Sequence, residues 1–130
     1  MQNRQEADES MLHGRQLLAQ GDYEGSLRES QRTLSLHPDS APADEAVFNM
    51  GLVYAHAGNP KKDYRKAMGF FRKLISEYPK SPLVEQAKAW VGVLQMTEKL
   101  SQTNEKLNQM LDQSKQVDIE IEERKRGKER

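Results

Sequence analysis

The chain has 130 residues, in which 20 basic and 20 acidic side chains balance to zero, cysteine is absent, and 35% of residues are hydrophobic against 31% charged. These values exclude disulfide scaffolds and thiolate metal sites, argue against a general binder of nucleic acid or anionic membrane, and leave room for one ordinary domain or a smaller one with an extension. No apolar run approaches the roughly 18 residues of a membrane span, and MQNRQEADES carries no apolar signal core, so the protein is either cytoplasmic or has lost a signal segment.

Residues 1–9 are polar and read as a flexible N-terminus. From Ser10, the residues Met11, Leu12, Leu17 and Leu18 set out a first amphipathic helix, which Gly21-Asp22 stops. Tyr23, Leu27, Leu34 and Leu36 carry a second, ended by His37-Pro38-Asp39. After the connector Ser40-Ala41-Pro42, Asp44 is the expected N-cap of a third helix, whose apolar face is Val47, Met50, Tyr54 and Ala57. Gly58-Asn59-Pro60 breaks this helix, because Gly accepts positive φ and Pro has no N–H to donate. Tyr64, Ala67, Phe70, Phe71, Leu74 and Ile75 form the face of a fourth, closed by Tyr78-Pro79. A hairpin over 44–81 cannot bury both faces alone, so its chain neighbours must cover it. A last helix starts near Leu83 and runs through Ala87, Trp90, Val91 and Leu94; with no Gly or Pro between Val93 and Arg126, it should continue almost to the end of the chain.

An internal repeat underlies this order. Gly14, Gly21-Asp22-Tyr23 and Pro38 are spaced as Gly51, Gly58, Asp63-Tyr64 and Pro79, once Asn59 to Lys62 is set aside as an insertion. The pattern resembles the tetratricopeptide repeat, a helix–turn–helix of about 34 residues. Repeat one fits 7–40, with Ser26 and Thr33 where alanine is usual. Repeat two fits 44–81, with Ala67 at the expected small position and Leu74 where alanine is usual. A third helix A lies at about 83–97, with Gly92 matching Gly14 and Gly51. The expected fold is therefore all-α: a helical hairpin array of about two and a half repeats over 10–97, a long C-terminal coiled-coil-like helix over 98–126, and a charged tail at 127–130. FFRKLISEYPKSPLVEQAKAW, residues 70–90, is similar to the repeats of the bacterial envelope families of BamD and YbgF, and QVDIEIEERKR resembles the end of QseG-type outer-membrane lipoproteins. Those resemblances imply a periplasmic or outer-membrane-associated protein, provided that an N-terminal signal has been removed.

The tetratricopeptide resemblance implies a concave, peptide-binding face made by the first helix of each repeat. Mapped onto this chain, that face holds Asp8, Met11, Arg15 and Leu18, then Glu45, Phe48, Asn49, Leu52 and His56, then Gln86, Ala89, Trp90, Val93 and Met96. The expected partner-binding groove is Met11, Arg15, Leu18, Phe48, Asn49, Leu52, His56, Ala89, Val93 and Met96, apolar enough to take an apolar peptide or helix. The clamp of Lys, Asn and Arg by which some of these domains hold a terminal carboxylate is not matched, since Asp8, Gln86 and Trp90 stand where its residues would be. Asn49 remains a hydrogen-bonding contact for an extended backbone.

Beyond Val93 a heptad can be written, with Val93, Met96, Leu100, Thr103, Leu107, Met110, Ser114, Val117 and Ile121 at alternating a and d positions. Its seam is Leu100, Leu107, Met110, Val117 and Ile121, weakened by Thr103 and Ser114. This helix either joins a second chain, giving a homodimer, or folds back as a cap on the repeats. His13, His37 and His56 lie far apart in register with no acidic partner at ligand spacing, so no metal is expected. Asp118, Glu120, Glu122 and Glu123 spread around the helix axis as a solvated face. Gly58-Asn59-Pro60-Lys61-Lys62 lacks the ending of a phosphate loop, and acidic neighbours dilute the basic RKRGKER. With no nucleophile–base pair and no cofactor site, the reading is a non-catalytic scaffold or adaptor with a protein partner in its groove, no nucleic acid and no direct membrane insertion. The alternative is an oligomerisation module whose groove is filled by its own or a second copy's last helix.

Overall fold

A computed structural model describes residues 2–129, and among them every regular element is an α-helix. The helices are α1 (Gln2–Ala19), α2 (Tyr23–Leu36), α3 (Ala43–Ala55), α4 (Tyr64–Glu77) and α5 (Val84–Glu129). By contacts between backbones the chain divides into one unit ending at Leu94 and a second from Gln95 onward, so α5 contributes to both.

In the first unit, α1 packs on α2, α2 on α3 and α3 on α4. The two hairpins start their second helices by the same means but turn differently, since Gly21 takes a positive φ and Gly58, expected to do the same, does not. Gly21, at φ 81°, ends α1, with its N–H donating to Leu18 O and the Asp22 N–H to Leu17 O, which satisfies two carbonyls the helix end would leave open. Asp22 then caps α2, its Oδ1 accepting from Gly25 N at 2.9 Å. Asp63 does the same for α4, accepting from Lys66 N at 3.1 Å.

Small residues bring α1 and α2 close together. Ser26, Ser30 and Thr33 are buried on α2, and Ser26 Oγ donates to Gly14 O at 2.7 Å. Where alanine would only fill space, the Ser26 and Thr33 hydroxyls add polar links across the helix pair. The rest of the first core gathers around Phe71, which is fully buried among Val47, Met50, Ala67, Met68, Leu74, Ala87 and Leu94. Phe48 meets its ring edge-on at 5.3 Å and Trp90 stacks on it at 5.6 Å, so α3, α4 and the start of α5 converge there.

The inserted loop is built around Asn59, which is buried. Its Nδ2 donates to Val53 O at 2.9 Å and its Oδ1 accepts from Lys61 N at 2.9 Å, so one side chain ties the detour to the end of α3. The ends of α2 and α4 are joined by Tyr78, whose hydroxyl donates to Pro38 O at 2.6 Å.

Two expectations change. The flexible start at 1–9 is replaced by helix from Gln2: Ala7 and Ser10 are buried, and Arg32 Nη1 donates to Ser10 Oγ at 3.2 Å, because α2 runs far enough back to cover them. Met1 and Arg130 lie outside the described residues. The last helix is continuous from Val84 to Glu129, as the lack of Gly and Pro between Val93 and Arg126 leads one to expect, so 83–97 and 98–126 share one helix, α5, which also runs into the tail at 127–130. Asp44 is not the N-cap of α3; Pro42 holds that position and Asp44 sits in the first turn.

Candidate functional site

A cavity of about 370 Å³ opens in the first unit, lined by Arg15 and Leu18 of α1, by Asp44, Glu45, Phe48, Asn49 and Leu52 of α3, and by Pro82-Leu83. Leu18, Phe48, Leu52, Pro82 and Leu83 give it apolar walls. The three-and-four spacing of Glu45, Phe48, Asn49 and Leu52 turns one face of α3 toward it. Arg15 Nη1 donates to Glu45 Oε2 at 2.7 Å, joining α1 to α3 at the exposed margin.

Asp44 is the unusual member. It is 6% exposed; its Oδ2 accepts from Ser81 Oγ, which in turn accepts from Leu83 N at 3.1 Å. Its Oδ1 is buried with no hydrogen-bond partner, and among the described residues it is the buried side-chain atom left in that condition. A buried acceptor without a donor forfeits about 1–3 kcal/mol, and more when charged. Asp44 also borders a second cavity of about 310 Å³ with Asp39, Ser40, Glu77, Tyr78, Pro79, Lys80 and Ser81.

Five of the ten expected groove residues come together in the first cavity: Arg15, Leu18, Phe48, Asn49 and Leu52. Asn49 has a different task from the one expected. Both its amide hydrogens are spent, donating to Ser26 Oγ and Ser30 Oγ at 2.8 Å each, so it ties α3 to α2 and has no hydrogen to offer a partner's backbone. Met11 is 1% exposed and belongs to the core between the helices, since α2 covers that side of α1. His56 caps the end of α3: Gly58 N donates to its Nδ1 at 3.0 Å, which makes that nitrogen the acceptor for the Tyr23 hydroxyl as well, at 3.2 Å. Ala89 and Val93 line a shallower dent of about 270 Å³ with Gln86 and Trp90. Met96 belongs to the second unit and is exposed. Asp44, Pro82 and Leu83 were not among the expected groove residues, since Asp44 was read as a helix cap and Leu83 as the start of the last helix; the repetition of Pro79 and Pro82 around Ser81 was the available signal that this segment is held in place.

The histidines are dispersed, although His13 Nδ1 does lie 3.5 Å from Glu29 Oε1, a pairing across α1 and α2 that sequence spacing did not suggest. Among the described residues no group of three or more metal-ligating side chains occurs and no helix is long and apolar enough to cross a membrane. The seam residues Leu100, Leu107, Met110, Val117 and Ile121 are all exposed on α5.

The tetratricopeptide repeat family matches residues 45–81, the segment of α3, its loop and α4. Repeats of this family serve protein–protein interaction, and the all-helical hairpin architecture agrees with a repeat array of that kind. No curated protein and no solved structure matches the chain.

Proposed function

We propose that this protein is a non-catalytic adaptor, whose cavity between α1, α3 and Pro82-Leu83 receives a bulky apolar side chain of a protein partner. Beside that side chain the partner carries an N–H or ammonium donor. The observation that carries this reading is a cavity walled by Leu18, Phe48, Leu52 and Leu83 and lined in part by Asp44, whose buried Oδ1 has no hydrogen-bond partner. A volume of about 370 Å³ is at the small end of ligand pockets, enough for one or two large side chains rather than a whole helix. Arg15 is engaged by Glu45, so Asp44 leaves the pocket with an unbalanced negative charge. That favours a basic residue or a chain's N-terminal amine next to the apolar anchor. The similarity of residues 70–90 to envelope repeat families supports an envelope setting for the partner.

The test is a peptide array that pairs each large apolar residue with lysine, with glutamate or with an N-terminal amine, followed by fluorescence anisotropy on the best sequences. Basic-apolar and amine-apolar peptides should bind, their glutamate counterparts should not, and Leu18→Glu should remove binding at unchanged helix content. Equal binding by acidic and basic peptides, or binding indifferent to Leu18→Glu, would overturn the assignment.

A further inference from the structure

The described part of the second unit is helix from Gln95 to Glu129, and Met96, Leu100, Leu107, Met110, Val117 and Ile121 on it are all between 46% and 64% exposed. A row of large apolar side chains on one face of a long exposed helix demands a cover. Their alternating three-and-four spacing is that of a two-helix seam. We infer that this face pairs with the same face of a second copy, and that the two helices run antiparallel with the twofold axis passing between Leu107 and Met110.

The direction follows from what each alignment brings together. In an antiparallel pair every step forward on one helix is a step back on the other, and a positions face d positions. With Leu107 opposite Met110 of the second copy, Leu100 meets Val117 and Met96 meets Ile121. Thr103 meets Ser114, so the two polar positions share their layers and neither is set against an apolar side chain. The flanking g positions then place Lys99 beside Glu120 of the second copy, and this happens twice by symmetry; Lys106 meets the neutral Gln113. On the other flank Leu111 lies over Asn104, which gives that exposed leucine partial cover. Ile119 stays on the outer face, and nothing in the arrangement uses it.

The parallel alignment is poorer. It gains a Glu120–Lys125 pair, but the same heptad carried onward puts Arg124 and Lys128 at d and a positions, each facing its own copy. Like charges opposed in a seam repel, and such contacts are a recognised means of excluding an alignment. The antiparallel register covers 96–121, and in it Arg124 and Lys128 no longer face their own copies. The chain's charge pattern is therefore complementary to itself in one direction and self-repelling in the other. This pairing is independent of the cavity at Asp44.

The chain has no cysteine, so single replacements report the direction without background. Full-length Leu100→Cys and Val117→Cys proteins are prepared separately, mixed under reducing conditions and then oxidised. The antiparallel pair predicts a mixed disulfide between the two proteins and little homodisulfide of either, because identical positions stand about 25 Å apart along the axis. Abundant Leu100→Cys and Val117→Cys homodisulfides would overturn the direction, and a monomer by light scattering at 100 µM or so, a concentration where modest self-association is populated, would overturn the pairing. As a second readout, Lys99→Glu should weaken the dimer by about tenfold, and adding Glu120→Lys should restore it. Failure of the double variant to recover would count against this register, since in a parallel dimer Glu120→Lys would instead meet Lys125.

Discussion

The ring of Phe71 lies so close to Gly51 that a Cβ built on the glycine would stand 2.7 Å from both Cε1 and Cζ. Phe71 is fully buried and held by Phe48 and Trp90, so it has nowhere to go. Gly51→Ala should therefore lower stability by about 1–3 kcal/mol, despite the better helix propensity of alanine. Gly69→Ala, where nothing lies within 4 Å, should instead raise it by up to about 1 kcal/mol. Thermal melts of the two variants check both signs at once.

Asn49 should prove to be a structural residue. Replacing it with alanine removes the donors to Ser26 and Ser30 Oγ in a buried layer, at a cost of about 1–3 kcal/mol. Urea denaturation should show this loss. Asn49→Leu, which refills the volume without the hydrogen bonds, should not recover it, because the serine hydroxyls stay buried.

Met11 and Leu12 are neighbours in sequence with opposite surroundings, one buried and the other half exposed. Met11→Ala should cost about 2–5 kcal/mol, whereas Leu12→Ala should stay within about 0.5 kcal/mol of the parent. Equal effects in a chemical melt would mean that Met11 faces outward after all.

Alkaline pH should destabilise the first unit through Tyr78. Burial, then the nearby carboxylates of Glu77, Asp39 and Asp44, raise its pKa above the ordinary tyrosine value. A raised folded-state pKa means stability that is fully present below the unfolded value and lost as pH climbs through the folded one. Tyr78→Phe should flatten that part of the alkaline slope and, by losing the bond to Pro38 O, cost about 0.5–1.5 kcal/mol at neutral pH. The pH dependence of the melting temperature of both proteins tests this.

At the surface, Lys61 Nζ donates to Glu24 Oε1 at 2.7 Å, which bonds the inserted loop to α2. That hydrogen bond and its attendant charge lower the Glu24 pKa and raise that of Lys61. The stabilisation is thus present at neutral pH, lost on the acid side as Glu24 protonates and lost on the alkaline side as Lys61 deprotonates. Both groups are exposed, so salt should screen the effect. Glu24→Gln should show a melting temperature with slightly less dependence on ionic strength than the parent.

Much of the fold was legible because it rests on local chemistry. Gly21-Asp22 and Asp63 stop and start helices by means that require only their own neighbours, and the recurrence of Gly14 and Gly51 marks where helices approach. The candidate site was half legible. Arg15, Leu18, Phe48 and Leu52 follow from helical spacing, but spacing assigns a direction only relative to the helix's own axis. It could not tell that Met11 points under α2, that Asn49 is claimed by Ser26 and Ser30, or that His56 is claimed by Tyr23 and Gly58.

The amino-acid sequence by itself determined the helices, their breaks, the repeat of one hairpin by another and the spacing of the apolar residues along α5, because each depends on periodicity and on Gly, Pro and Asp at fixed offsets. Only the tertiary structure decided which side chains of a shared face are buried and which line a cavity. Tertiary structure also brought Pro82-Leu83 onto α3 and left one oxygen of Asp44 without a donor. Those outcomes depend on neighbours far away in the chain, Ser81 on Asp44 and α2 over Met11, and no local pattern encodes the company a side chain will keep.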